Sequence, residues 1–275
     1  MTTLRAAVVQ LRTPARLADA LAHAEPLVRE AAAGGAQLIV TPEATNIIQK
    51  DKAKLAEQIT SVADDPVVQG LSRLAGELRV RLLIGSALVR REDGAGFANR
   101  SILVGPDGAI QATYDKIHMF DVDLPNGERY RESAVYIPGE TAVAAETPFG
   151  PMGLTVCYDM RFPALYRALA EKGATVIAVP AAFTRPTGEA HWETLLRARA
   201  IETGAFILAA AQGGMHEDGR GTWGRSLIIG PWGEILARAD DDAPGVFLAD
   251  LDLEAVTKAR AAIPSLLNAR AFAAP

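Results

Sequence analysis

A single cysteine, Cys157, stands in the stretch GLTVCYDMRFP at 153–163, at the end of a strand-forming run and shortly before Pro163. Proline is favoured in the first turn of a helix, where its missing N–H costs nothing. The spacing therefore predicts a strand, a sharp turn and a helix, with the thiol exposed above the sheet edge. Backbone N–H groups of such a turn, together with the helix N-terminus, favour a thiolate or an oxyanion. That is the chemistry of a sulfur nucleophile. The plain alternative is a small buried apolar side chain, the usual setting of a free cysteine.

Glu43 closes the run QLIVTPE at 37–43. A carboxylate placed there lies outside the C-terminal end of a buried strand, where α/β proteins bind ligands. Burial would raise its pKa and suit it to proton transfer, although capping a helix N-terminus is an equally open role. Lys116, in ATYDKIHMFDVD at 112–123, and Glu132, in RYRES at 129–133, read in isolation as solvated charges. The four histidines, His23, His118, His191 and His216, show no metal-ligand spacing. A cysteine–histidine pair stays open, because its members need not be neighbours in the chain. GRGTWG at 219–224 fits GxGxxG in letters, but a strand and hairpin follow it in place of a helix, and no GxxxxGK[ST] or GxSxG is present, so a nucleotide cofactor or a serine nucleophile has no support.

These residues need elements to position them. Apolar runs at 6–10, 37–42, 81–89, 153–158, 175–180 and 206–211 are short and bounded by Gly and Pro, which predicts buried strands. Helical spacing covers 16–33, 66–78, 163–172, 190–203 and 253–261. The alternation predicts an α/β protein. An internal echo goes further. REAAAGGAQLIVTPEA (29–44) and RALAEKGATVIAVPAA (167–182) follow one plan, as do RSILVGPDGAI (100–110) and RSLIIGPWGEI (225–235). The second pair reads as hairpins, since proline fixes φ and glycine allows positive φ. Two similar halves with facing sheets predict a four-layer α-β-β-α sandwich in one domain over 1–275, since no linker-like segment divides them.

Of the 275 residues, 49% are hydrophobic and the formal net charge is −5. No basic footprint for nucleic acid is present. No run reaches the roughly 18 apolar residues of a membrane span, and MTTLRAAVVQ has no signal-peptide layout. RADDD at 238–242 reads as a solvated turn. One cysteine forms no internal disulfide, which fits a reducing cytoplasm.

Taken together and in order, TPEA (41–44), YDKIHMFDVD (114–123), RESAVYIPGE (131–140), GLTVCYDMRFP (153–163), HWETLLRARAIE (191–202) and GRSLIIGPWG (224–233) resemble the carbon–nitrogen hydrolase (nitrilase) superfamily. The resemblance implies an α-β-β-α sandwich and a Glu–Lys–Cys triad of Glu43, Lys116 and Cys157, with Glu132 as a supporting glutamate. It implies an amidase that turns a small carboxylate-bearing amide into acid and ammonia through a thioester, with no cofactor and no metal. CYD in place of the CWE of nitrile-cleaving members looks like the amidase side, the branch of ω-amidases and deaminated-glutathione amidases. AAAQGG (209–214) and GTWGRSLIIGPWG (221–233) are more similar to the latter.

Deaminated glutathione is therefore the expected substrate. α-Ketoglutaramate, a nitrile and an N-carbamoyl amino acid are the alternatives, and a catalytically silent scaffold is opposed by the four filled positions. By the same resemblance a backbone N–H near Tyr158 contributes to the oxyanion site, and Arg161 and Thr187 contact substrate carboxylate. Two positions depart from the family pattern. Ala164 stands where a glutamate is usual, and Arg185 in FTRPTG (183–188) stands where relatives often have a small residue; turned inward it would add a second carboxylate contact or shrink the pocket, and turned outward, the favoured reading, it is a solvated loop arginine. A homodimer or larger homo-oligomer is also implied, and the Ala-rich stretch 263–275 reads as an arm on a partner subunit or a loosely held tail.

Overall fold

Apolar side chains on both faces of its strands decide the architecture of the chain, which the computed structural model describes over residues 2–124 and 126–273. The first half runs β1 (Thr3–Gln10), α1 (Leu17–Ala33), β2 (Leu38–Val40), α2 (Lys52–Gln58), α3 (Pro66–Leu78), β3 (Arg81–Arg90), β4 (Phe97–Val104) and β5 (Ile110–Asp115). A ribbon of β6 (Asp121–Asp123) and β7 (Arg129–Arg131) leads to a 3-10 turn at Glu132–Ala134. There follow β8 (Val143–Ala145), β9 (Met152–Leu154), a 3-10 turn at Cys157–Arg161, α4 (Pro163–Glu171), β10 (Val176–Ala178), α5 (Arg185–Thr203) and β11 (Phe206–Ala209). The ribbon β12 (Gly213–Met215) and β13 (Gly221–Trp223), then β14 (Leu227–Ile229), β15 (Ile235–Arg238), β16 (Gly245–Asp252) and α6 (Glu254–Ala262) complete the chain.

Two six-stranded sheets form, in the orders β16-β1-β2-β3-β4-β5 and β8-β9-β10-β11-β14-β15. Each has three parallel strands at its centre, an antiparallel strand on one side and an antiparallel hairpin on the other. The internal echo of the sequence is thus a repeat of topology. Ala6, Val8, Leu38, Val40, Leu83 and Leu103 share one core with the second sheet, while the alternate residues Ala7, Val9, Ile39 and Leu82 pack under α1 and α3. Leu165 and Leu169 of α4 and Trp192 and Leu196 of α5 cover the other sheet. Strands buried on both faces need apolar residues at every position, which is why they read as continuous runs. The result is the α-β-β-α sandwich that the sequence predicts.

Helix boundaries follow local chemistry. The Asp65 carboxylate accepts from the N–H groups of Val67 and Val68 at 2.9 Å, with Pro66 in the first turn of α3. Pro186 starts α5 at Arg185 rather than near 190, and Gly204 ends it at φ 58°. The run 153–158 is not one strand: β9 stops at Leu154 and Cys157 opens a 3-10 turn. The short α2 and the two ribbons carry too few periodic residues to be read from pattern. Of the stretch 263–275, Leu267 and Phe272 are exposed and Leu266 O accepts from Arg167 Nη2 at 3.2 Å; residues 274 and 275 lie outside the described residues. Among the described residues no helix is long and apolar enough to cross a membrane.

Gly85 in β3 passes directly beneath the ends of β2 and β10. A Cβ there would overlap the carbonyl oxygens of Thr41 and Pro42 and lie 2.5 Å from Pro180 Cβ. Gly85→Ala is therefore expected to lower stability by about 3 kcal/mol, read as the shift of the urea unfolding midpoint. An unchanged midpoint would show that the strand ends have slack.

Candidate active site

Where strands of the two sheets end, the structure brings together Glu43, Lys116, Glu132 and Cys157. Glu43 follows β2, Lys116 directly follows β5, Glu132 opens the turn after β7, and Cys157 follows β9. Lys116 is only 2% exposed. Its Nζ donates to Glu43 Oε1 at 3.0 Å and to Glu132 Oε1 and Oε2 at 2.9 and 2.7 Å. Asn99 of β4 bridges the same two carboxylates, its Nδ2 lying 2.9 Å from Glu43 Oε1 and 3.2 Å from Glu132 Oε1. The Phe120 N–H donates to Glu132 Oε2 at 2.6 Å.

This inventory separates the two glutamates. Both oxygens of Glu132 are occupied by fixed donors, so it is suited to hold Lys116 in place. Glu43 keeps Oε2 on the Ala182 N–H at 2.8 Å and lies on the same cavity wall as the Cys157 thiol, whose ionisation its charge opposes.

The charges of the cluster follow from burial and partners. Burial alone would drive the proton off Lys116, but Glu132 and then Glu43 hold its pKa well above the ordinary lysine value. Burial pushes Glu43 up; the Lys116 ammonium, the thiol and Asn99 outweigh it and bring the carboxyl below its usual range. Burial and the Glu43 charge push the Cys157 thiol well up, with Lys116 opposing only in part. At rest the site therefore holds a thiol, one ammonium and two carboxylates, with a net charge of −1. Ionising the thiol in advance would add another negative charge to that excess.

The Cys157 backbone has φ 51°, a left-handed conformation rare for a side-chain-bearing residue, and its N–H donates to Pro180 O at 2.8 Å. Asp159, fully buried, holds this turn. It accepts from Val156 N–H at 2.8 Å, Tyr114 O–H at 2.7 Å and His118 N–H at 3.1 Å, and lies 2.6 Å from His118 Nδ1. Tyr114 and His118 flank Lys116 in the chain. The aspartate of CYD thus ties the nucleophile's turn to the segment that carries the ammonium.

A cavity of about 520 Å³ opens over the cluster, with Tyr158 and Thr187 in its wall. Thr187 sits in the first turns of α5, not in a loop, with Oγ1 2.8 Å from Thr184 Oγ1. The structure brings neither Arg161 nor Arg185 to the wall. Arg161 stacks over the rings of Phe183 and Tyr158 at 5.5 and 5.9 Å, with Nη2 3.3 Å from His191 Nδ1. Arg185 is turned onto Asp242, because Pro186 winds FTRPTG into a helix that aims it away. That Asp242 lies in RADDD, which binds Arg185 and is not merely a solvated turn. Ala164 is exposed on the first turn of α4.

None of the four histidines pairs with the thiol. His118 and His191 are engaged as above, His23 accepts from Arg12 N–H at 3.3 Å, and His216 sits between Thr13 and Thr222. Sequence reasoning missed Asn99, Asp159, Ala182 and Gln212. The one signal for Asn99 is a polar residue inside the apolar strand FANRSILV. Gln212, whose Nε2 donates to Glu43 O at 2.9 Å, offers none.

Glu43→Gln removes a neighbouring negative charge and leaves Lys116, so Cys157 is expected to titrate at a lower pH than in the parent protein while amide turnover is lost. Thiolate absorbance against pH reads this; an unchanged or higher midpoint would contradict it. Asn99→Leu takes a charged-group hydrogen bond from each carboxylate and is expected to lower kcat by about 10- to 100-fold. A kcat within twofold of the parent would remove Asn99 from the site.

Comparison with known proteins places this geometry in a family. The carbon–nitrogen hydrolase profile matches residues 5–261. A deaminated glutathione amidase from Yersinia enterocolitica is 42% identical over 243 residues, covering 88% of this chain and 84% of that protein. An omega-amidase from Danio rerio is 36% identical over 270 residues, covering 96% and 94%. The solved structure of the C. elegans NitFhit protein matches with a TM-score of 0.89 at 32% identity, over 98% of this chain and 66% of that one, so part of that protein has no counterpart here. The profile spans nearly all of the sandwich on which these strand ends meet, and the chain belongs to the carbon–nitrogen hydrolase family, as a hydrolase of carbon–nitrogen bonds.

Proposed function

We propose that the protein is a cysteine amidase acting on deaminated glutathione. The observation that carries the chemistry is the meeting of Glu43, Lys116 and Cys157 on one cavity wall, with Glu43 bonded to the Lys116 ammonium. The kinship with deaminated glutathione amidases supports the substrate.

In this mechanism the Cys157 sulfur attacks the amide carbon as its proton passes to Glu43. The carbonyl oxygen becomes an oxyanion held by Lys116 and by the Tyr158 N–H, in the first turn of a 3-10 helix whose leading N–H groups have no intrahelical partner. Collapse breaks the C–N bond, and Glu43 returns the proton to the departing amine. The thioester on Cys157 then takes up water, which gives a proton to Glu43 as it attacks. The C–S bond breaks, the thiol recovers its proton and the acid leaves. Glu132 and Asn99 keep Lys116 and Glu43 aligned throughout.

One expectation changes with the substrate. Glutathione that has lost its amino group has no primary amide, so the leaving amine is cysteinylglycine and not ammonia. Ammonia would leave only from a primary amide such as α-ketoglutaramate, the second reading, which the omega-amidase relatives support. The same proposal includes a single domain over 1–275, a homo-oligomer for which the exposed Ile201 and Trp232 offer apolar surface, and a cytoplasmic setting suited to a lone thiol.

Purified protein given deaminated glutathione is expected to form 2-oxoglutarate and cysteinylglycine in equal amounts, and Cys157→Ala to be slower by about 10⁴-fold with an unchanged circular dichroism spectrum. Exclusive use of α-ketoglutaramate would transfer the enzyme to the second reading. Full activity of Cys157→Ala would refute the mechanism.

A further inference from the structure

Part of the cavity wall carries positive charge that the catalytic cluster does not use. Lys50, Lys52, Arg129, Arg131 and Arg220 all line it. Two are already paired, since Arg131 and Arg129 lie 2.9 and 3.4 Å from the Asp123 carboxylate. Glu128, an acid on the same wall, accepts from Tyr130 O–H at 2.8 Å and Asn126 Nδ2 at 3.0 Å. Among the described residues the lysine salt bridges are those of Lys116 and Lys258, which leaves Lys50 and Lys52 unpaired.

Arg220 sits in the turn between β12 and β13. Its N–H donates to Asp218 Oδ1 at 2.9 Å, while its Nε lies 3.9 Å from Asp218 Oδ2, too far for a hydrogen bond. That Oδ2 is buried and has no hydrogen-bond partner. The guanidinium is thus held at one edge by a buried carboxylate, and its Nη groups make no protein hydrogen bond among the described residues. Lys50 reaches the same place from the segment before α2: a Cβ built on Gly219, next to Arg220, would lie 3.2 Å from Lys50 Nζ. Arg220 and Tyr136 line the same cavity as Glu43, Lys116, Glu132 and Cys157, so Arg220 shares one chamber with that cluster.

Volume points the same way. At about 520 Å³ the cavity falls in the range of about 300–1,000 Å³ that holds drug-sized ligands, more than a short primary amide fills. Two free Nη groups match a planar carboxylate, and a nearby ammonium adds a point charge.

We propose that Arg220 and Lys50 form a recognition site for a carboxylate on the leaving-amine half of the substrate, which makes the enzyme selective for amides whose departing half is a small amino acid or peptide. The proposal rests on the amidase reading above. In deaminated glutathione the group recognised is the glycine carboxylate, which a primary amide that releases ammonia lacks.

The test compares kcat/KM for deaminated glutathione with that for its glycinamide analogue, which has the same scissile amide but a terminal carboxamide. The parent protein is expected to prefer the acid by about tenfold or more, the preference lying in KM. Arg220→Gln is expected to bring the ratio near unity, and Lys50→Gln, on an exposed lysine, to reduce it in part. Because each ratio is taken within one protein, a loss of folded fraction cancels. An acid-to-amide ratio in Arg220→Gln equal to the parent's would overturn the proposal alone, as would a parent that cleaves both compounds equally. A parent that cleaves α-ketoglutaramate and neither compound would overturn the proposal together with the substrate reading.

Discussion

A lysine ammonium buried between two carboxylates is the constraint on which the rest of this structure depends. Lys116 is tolerable in a dry interior only because Glu43 and Glu132 meet it at 2.7–3.0 Å. Removing one partner of such a cluster typically costs about 3–5 kcal/mol, because a charge is left buried without compensation. The end of β2, the end of β5, the strand carrying Asn99 and the turn carrying Glu132 must therefore all be in register at once. The cluster also sets the chemistry. With two carboxylates to one ammonium it opposes a standing thiolate, yet it offers the thiol proton a place to go when a carbonyl carbon arrives.

The repeated topology explains how Cys157 and Glu43 come to share a site. Glu43 belongs to the first sheet and Cys157 to the second, each beyond the C-terminal end of a parallel strand, which is where open α/β sheets gather ligand-binding groups. The seam between the sheets is stitched at this level. Ala182 N–H donates to Glu43 Oε2 and Gln212 Nε2 to Glu43 O, while Leu11 and Gln212 form a bridge. Neither half alone can assemble the thiol and its proton acceptor. Asp159 does the equivalent work in the other direction, tying the Cys157 turn to Tyr114 and His118 on either side of Lys116.

Much of this was legible in the residue order. Strands buried on both faces appear as unbroken apolar runs, and α3 announces itself through Asp65 and Pro66. The two Gly-Pro-X-Gly hairpins mark the repeat in the residue order itself. Cys157 and Glu43 stand out by their place at strand ends, whereas Lys116 and Glu132 are singled out only by the family resemblance. What stayed hidden depends on contacts between distant segments. Asn99 is an ordinary strand residue until its amide is seen between two carboxylates, and Ala182 acts through its backbone, which no side-chain pattern reports. The direction of Arg185 is open in the sequence, because its type suits a carboxylate or solvent alike; Pro186 starts a helix that turns it onto Asp242.

The central claim is that carbon–nitrogen cleavage proceeds through a thioester on Cys157. Acid-quenching the enzyme during steady-state turnover of deaminated glutathione, followed by peptide mapping by mass spectrometry, tests it most directly. The account predicts that the Cys157 peptide gains the mass of the 2-oxoglutaryl group and loses it once the substrate is exhausted. An acyl group on any other residue, or an unmodified Cys157 under conditions where deacylation limits turnover, would contradict it.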